Sequence, residues 1–135
     1  MTYLLDTSAL LAHYRQEVGW EAVQALFDDQ LAHIAVSCIS IAEMSRRTTA
    51  LGVPREVTRK VVGDYVSLMD AVCDIDSETA WRAFDLCMKI RERLPLVDAL
   101  IAATAGVRSA CLVHCDRHFD AIPSDLVQTL PIGRK

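Results

Sequence analysis

The sequence has no apolar run long enough to cross a membrane, and its first residues lack a basic stretch followed by an apolar one. Nothing marks it for export, so a cytoplasmic protein is expected. It has no Cys-x-x-Cys pair, and its 5 cysteines are an odd number, which argues against a disulfide scaffold. Cys38, Cys73, Cys87 and Cys111 each sit in a largely apolar stretch, where a free thiol serves as a small hydrophobe. Positive charge is also short: 14 Lys and Arg stand against 18 Asp and Glu, a net charge of −4. Simple phosphate binders tend to be basic. The deficit argues weakly against nucleic acid, unless the acidic side chains gather at one site where a bound cation reverses the local sign. Internal repeats, low-complexity segments and long linkers are absent too. What remains is 135 residues, 52% apolar and 24% charged, the balance of a single folded domain spanning 1–135.

Turn signals divide this chain into strands alternating with helices. Thr2 to Leu5 reads as a first strand that stops at Asp6-Thr7-Ser8, a helix-capping sequence. Trp20, Val23, Leu26 and Phe27 keep helical spacing after it, and Ile34 to Ser37 reads as a second strand. Ser40-Ile-Ala-Glu43 has capping-box spacing and leads into a helix that should stop at Gly52. Pro54 suits the first turn of the next helix, marked by Val57, Val61, Tyr65, Leu68 and Met69. Ala71 to Ile75 reads as a third strand. Asp76 or Ser77 caps a long helix in which Trp81, Phe84 and Met88 mark successive turns. Leu96 to Val107, after Pro95, is apolar nearly all round and reads as a buried helix. Cys111 to His114 is a fourth strand, and Val127 to Leu130 a short edge strand. The alternation indicates an α/β fold, a mostly parallel sheet with helices on both faces.

In such a sheet the carboxyl ends of the strands and the amino ends of the helices share one edge, where ligands bind. Asp6 and Asp116 closely follow strands, Glu43 lies in the first turn of the helix after the second strand, and Asp98 lies in the first turn of the apolar helix. Asp120 follows Asp116 by about one helical turn and can approach. Several carboxylates facing one cleft repel one another and are tolerable around a divalent cation. An oxygen-only donor set suits Mg2+ or Mn2+, and such a cation supports attack of an activated water on a phosphorus centre. Thr7 and Ser8 add hydroxyls near the same edge.

Each residue also has a purely structural reading. Asp6 can be a helix cap, Glu43 half of a capping box, Asp98 a favourable charge at a helix start, and Asp116 and Asp120 turn residues. Their shared edge is what favours chemistry over these separate readings. Cys111, His114, Cys115 and His118 match no common zinc spacing. Arg46, Arg47, Arg91, Arg93 and Arg117 are candidates for RNA phosphates, with solvated helix faces the competing reading.

With these residues in view, the chain resembles the PIN-domain ribonucleases, and among them the VapC-type toxins of type II toxin–antitoxin pairs. The resemblance is carried by Leu4-Leu5-Asp6-Thr7-Ser8-Ala9-Leu10, Ser40-Ile-Ala-Glu43, Leu96-Val-Asp98-Ala-Leu-Ile-Ala-Ala-Thr-Ala and Asp116-Arg-His-Phe-Asp120. It implies a three-layer α/β/α sandwich and Mg2+- or Mn2+-dependent endoribonuclease activity. It further implies a cognate antitoxin protein as partner and a homodimer; no membrane partner is expected, given the lack of a long apolar run. The family's acidic residues carry over to Asp6, Glu43, Asp98 and Asp116, with metal at Asp6, Asp98 and Asp116 and Asp120 as a less regular fifth. Thr7 and Ser8 are auxiliary candidates, and Arg46, Arg47 and Arg117 the candidate RNA contacts. One departure stands out: His114 occupies a position where the family often has Thr or Ser. Two other readings remain. An aspartate-based phosphatase usually pairs two aspartates after its first strand, whereas Asp6 is followed by Thr7 and Ser8. A non-catalytic PIN-like domain that binds protein is the third.

Overall fold

Leu4 and Leu5 point to opposite faces of the first strand, β1 (Thr2–Leu5), and both are fully buried in the computed structural model, which describes residues 1–133. A strand buried on both faces must lie inside a sheet covered on both sides. The other strands are β2 (His33–Ser37), β3 (Ala71–Cys73), β4 (Cys111–His114) and β5 (Thr129–Pro131). Their order is β3-β2-β1-β4-β5 and every neighbouring pair is parallel. The expectation of a mostly parallel sheet is met by one parallel throughout. Pro131 ends β5 at the outer edge, opposite His114.

The register assigns the two cores. Leu4 pairs with Ala35 and Leu112, so these three share one face. Leu5 pairs with Val36 and Val113 and shares the other. The first face packs against α5 (Ser77–Lys89), α6 (Leu96–Val107) and a 3-10 turn (Arg117–Ala121), through Ala83, Leu86, Ile101 and Phe119. The second packs against α1 (Thr7–Tyr14), α2 (Trp20–Asp28), α3 (Cys38–Ala50) and α4 (Arg55–Leu68), through Leu10, Val23, Met44 and Val62. The result is the expected three-layer α/β/α sandwich. Among the described residues, no helix is long and apolar enough to cross a membrane.

Three local expectations are corrected. Helix α3 begins at Cys38, capped by the Ser37 hydroxyl, which accepts from the Ile39 amide at 3.2 Å; Ser40 is fully buried and caps nothing. The chain leaves β2 directly into the helix, so Glu43 falls in the second turn rather than in a capping box. Strand β3 stops at Cys73, not Ile75, because it pairs only with β2, and Cys73 already faces Ser37, the last residue of that strand. The last strand begins at Thr129 rather than Val127, whose amide is held in a turn by the Pro123 carbonyl at 3.2 Å.

Deleting buried methylenes at the sheet centre should be costly, whereas trimming an exposed helix face should not. Leu4→Ala is expected to lower the unfolding free energy by about 2–5 kcal/mol, and Trp81→Ala, at a position 69% exposed, by no more than about 0.5 kcal/mol. Urea unfolding of both variants checks this, and a loss below about 1 kcal/mol for Leu4→Ala would contradict the assignment of β1 to the core.

Candidate functional site

The strand order reverses between β1 and β4. The chain runs outward from β1 to β3 on one side and then returns to β4 on the other, and beyond the carboxyl ends of β1 and β4 is where a parallel sheet of this order forms its crevice. Asp6 follows β1 and Asp116 follows β4, so the two flank that crevice.

Asp6 caps α1 in extended conformation, φ −72° and ψ 160°. Its Oδ2 accepts from the Ser8 amide at 3.0 Å and the Ser8 hydroxyl at 2.6 Å. Ser8 Oγ in turn accepts from the Cys115 amide at 2.9 Å, which ties the exit of β1 to the exit of β4. The other carboxylate oxygen, Oδ1, is buried and has no hydrogen-bond partner among the described residues. Burial, opposed by the Ser8 hydrogen bonds and reinforced by the charges of Asp98 and Glu43, pushes the Asp6 carboxyl from 3.8 up to about 6. The capping reading of Asp6 is met, and the cap engages only one of its two oxygens.

Asp98 is buried in the first turn of α6. Burial raises its pKa, the His118 hydrogen bond lowers it, and Asp116 and Glu43 raise it again. Glu43 is half-buried on α3 and close enough to act electrostatically on both Asp6 and Asp98. Asp116 caps the 3-10 turn, accepting from the His118 amide at 2.9 Å. That turn brings the His118 ring back: its Nδ1 lies 2.8 Å from Asp98 Oδ2 and 3.2 Å from Asp116 Oδ1. The hydrogen bond to Asp98 and the charge of Asp116 raise the His118 pKa. Ligand atoms of Asp98, Asp116 and His118 all lie within 4.8 Å of one another, a group that could hold a metal ion. Among the described residues no cysteine joins it.

The remaining candidates lie elsewhere or act indirectly. Thr7 is buried and donates its hydroxyl to Ser40 Oγ at 3.0 Å, joining α1 to α3. Ser8 holds Asp6, as above. Asp120 is exposed on the 3-10 turn and outside the three-residue group. Arg46, Arg47 and Arg117 are exposed, and among the described residues none forms an ion pair with these carboxylates. His114 is fully buried, with its ring edge-on to Phe119 at a centroid distance of 5.0 Å. It therefore contributes to the core at the position noted as a departure from the resemblance. Sequence reasoning weighed His118 only as part of a zinc set and did not place it beside the acidic residues. The spacing could have signalled the turn, in which Asp116 accepts from the amide two residues on, but not the approach of the ring to Asp98.

A family model described as PIN domain matches residues 3–124. No curated protein sequence matches the chain at a significant level. Among solved structures the chain is similar to VapBC2 from Rickettsia felis bound to a DNA fragment from their promoter, at 20% identity and TM-score 0.78, covering 98% of this chain and 99% of that one. It is similar to a toxin-antitoxin complex from Klebsiella pneumoniae at 25% identity and TM-score 0.69, with 95% of each chain covered. It is also similar to VapBC-1 from nontypeable Haemophilus influenzae at 18% identity and TM-score 0.73, covering 97% and 98%.

The buried carboxylates make stability fall as pH rises. Asp6 holds its proton more tightly folded than unfolded, so its contribution is complete below 3.8 and is lost as pH rises through about 6. A shift of about two units corresponds to about 3 kcal/mol once the group is ionised. Asp6→Asn should therefore raise the stability of the metal-free protein at pH 7.5 by up to about 3 kcal/mol and flatten its slope between pH 4 and 7. Denaturant unfolding across that range is the measurement, and an equal or steeper slope in the variant would refute the burial argument.

Proposed function

The chain belongs to the PIN domain family, and from that premise we propose that residues 1–135 form a single nuclease domain, an Mg2+- or Mn2+-dependent endoribonuclease of the VapC toxin type. The observation that carries this reading is the buried Asp6 Oδ1, which has no hydrogen-bond partner among the described residues and lies within electrostatic reach of Asp98 and Glu43. A buried carboxylate oxygen without a donor is costly, and a cation is the partner that satisfies it together with its neighbours. Asp6, Asp98 and Asp116 would hold the metal through oxygen: ligand atoms of Asp98 and Asp116 lie in one group, and the charge of Asp98 acts on Asp6. Bound there, Mg2+ or Mn2+ supplies Lewis-acid stabilisation of the phosphate oxygens and acidifies a water.

The protein's own groups do the rest. Ser8 keeps Asp6 in one rotamer through two hydrogen bonds, so the carboxylate is oriented before substrate arrives. Glu43, half-buried, accepts a proton from the attacking water at its carboxylate. The water oxygen bonds to phosphorus as the P–O3′ bond breaks, the 3′ oxygen takes a proton from solvent water as it leaves, and Glu43 returns its proton to solvent. The products are a 3′-hydroxyl and a 5′-phosphate, with no part for the ribose 2′-hydroxyl. Arg46, Arg47 and Arg117 are exposed and available to RNA phosphates.

The structural relatives are toxin–antitoxin complexes, which supports a cognate antitoxin as partner and a cytoplasmic setting. An Arg or Lys of the antitoxin would pair with the acidic cluster in place of the cation. A helix would fit the apolar groove between α3 and α4, about 430 Å³, lined by Ile41, Thr58, Val62 and Val66. A homodimer belongs to the same reading. The exposed Trp81, Phe84 and Met88 on one face of α5 give it an apolar surface.

Asp6→Asn and Asp98→Asn should each reduce cleavage of RNA by roughly 100-fold or more, and chelator should abolish it in the wild type. End mapping of total RNA should find 5′-phosphates; 2′,3′-cyclic phosphate ends or full activity in chelator would overturn the reading. Expression of the wild-type chain alone should arrest growth, expression of Asp6→Asn should not, and the product of the adjacent reading frame should restore growth. Arrest by both forms would point to a non-catalytic binding domain.

A further inference from the structure

The three-residue group at the crevice contains one donor that the acidic reading does not use. His118 Nδ1 stands 2.8 Å from Asp98 Oδ2 and 3.2 Å from Asp116 Oδ1. Cations of this kind bind at about 2.1 Å, and in an octahedron neighbouring donors are then about 3 Å apart. The nitrogen therefore stands at about that spacing from each of the two oxygens, and the three atoms lie within 4.8 Å of one another; in the metal-free protein the shorter contact is the hydrogen bond to Asp98. Three features hold them there: the Asp116 cap to the His118 amide at 2.9 Å, the first turn of α6 beneath Asp98, and the packing of Phe119, which is fully buried next to His118. A second and independent observation points to a cation. Asp6 lies outside that group of three but is 3% exposed, its Oδ1 has no hydrogen-bond partner among the described residues, and the charges of Asp98 and Glu43 act on it.

We propose that His118 is itself a metal ligand, so that this site offers one nitrogen among its oxygens and selects Mn2+ over Mg2+. The inference rests on the metal-dependent reading above and narrows it. Imidazole is a softer donor than carboxylate and favours transition metals, whereas Mg2+ takes oxygen and gives up water reluctantly. The ring can make the exchange without trapping a proton. Its side chain is 52% exposed, so Nε2 can carry the ring proton toward solvent while Nδ1 gives its lone pair to the cation.

The full chain, stripped of metal, is titrated with Mn2+ alone and with Mg2+ in competition, and the Mn2+-loaded protein is examined by pulsed electron paramagnetic resonance. The wild type should show coupling to an imidazole nitrogen, and His118→Ala should lose it. That variant should bind Mn2+ about tenfold more weakly and Mg2+ less than about threefold more weakly, so the preference between the ions shrinks. The His118→Gln variant should restore no nitrogen coupling of the imidazole type. Mn2+ bound with no nitrogen coupling in the wild type, coupling that persists in His118→Ala, or an unchanged preference would each overturn the assignment of His118 alone. Failure of the wild type to bind Mn2+ or Mg2+ at all would overturn this inference and the metal-dependent nuclease together.

Discussion

The molecule is organised around an electrostatic conflict: negative charge is gathered where water is scarce. Asp6 sits at the end of the central strand with 3% of its surface exposed, one oxygen held by Ser8 and the other without a donor among the described residues. Asp98 and Glu43 add like charge. Without a cation the conflict is relieved partly by an increased affinity of Asp6 and Asp98 for protons and partly by the His118 ring lying against Asp98 and Asp116. The start of α6 also helps, since the free amides of a helix first turn favour the anion of Asp98.

Such a conflict persists only where the scaffold over-determines it. Here the scaffold is β1, flanked by parallel partners on both sides and packed on both faces through Leu4 and Leu5. The reversal of strand order opens the crevice. The Asp6 amide donating to the Val113 carbonyl at 2.9 Å and the Cys115 amide donating to Ser8 at 2.9 Å keep its two walls in register. The same few residues thus terminate a strand, start a helix and hold a carboxylate. That economy explains why each looked like ordinary capping when considered alone.

The parts of this structure that were legible in the sequence are those governed by periodicity and by short connections. Leu96 to Val107 is a helix over the whole expected span, buried through Ala99 and Ile101 to Ala105 although Leu96 is exposed, and Cys111 to His114 is a strand, because a largely apolar segment has few other ways to be buried. Asp6 and Asp116 reach one edge because parallel topology leaves no alternative. What was not legible depends on long-range contacts. Ser40 matched a capping box in spacing, yet its hydroxyl is held by Thr7, 33 positions away, and Ser37 took the cap. His118 pairs with Asp98 across 20 positions, which no local pattern encodes. Trp81, Phe84 and Met88 do lie on one helix, but their direction is outward, and spacing alone does not distinguish an inward apolar face from an outward one.

Pro131 at the outer edge of β5 has a consequence for assembly. The Ile132 amide points inward to the His114 carbonyl at 2.8 Å, so by alternation the nitrogen of Pro131 faces away from the sheet, and it carries no hydrogen to offer. On the opposite margin β3 is only three residues long. An incoming strand would meet a missing donor on one border and a template too brief to grip on the other. Growth of this sheet by addition from a second polypeptide is thereby discouraged at both borders. Stable association is left to helix surfaces, which can be matched to one partner by shape and charge, where an open backbone ladder would accept any extended chain.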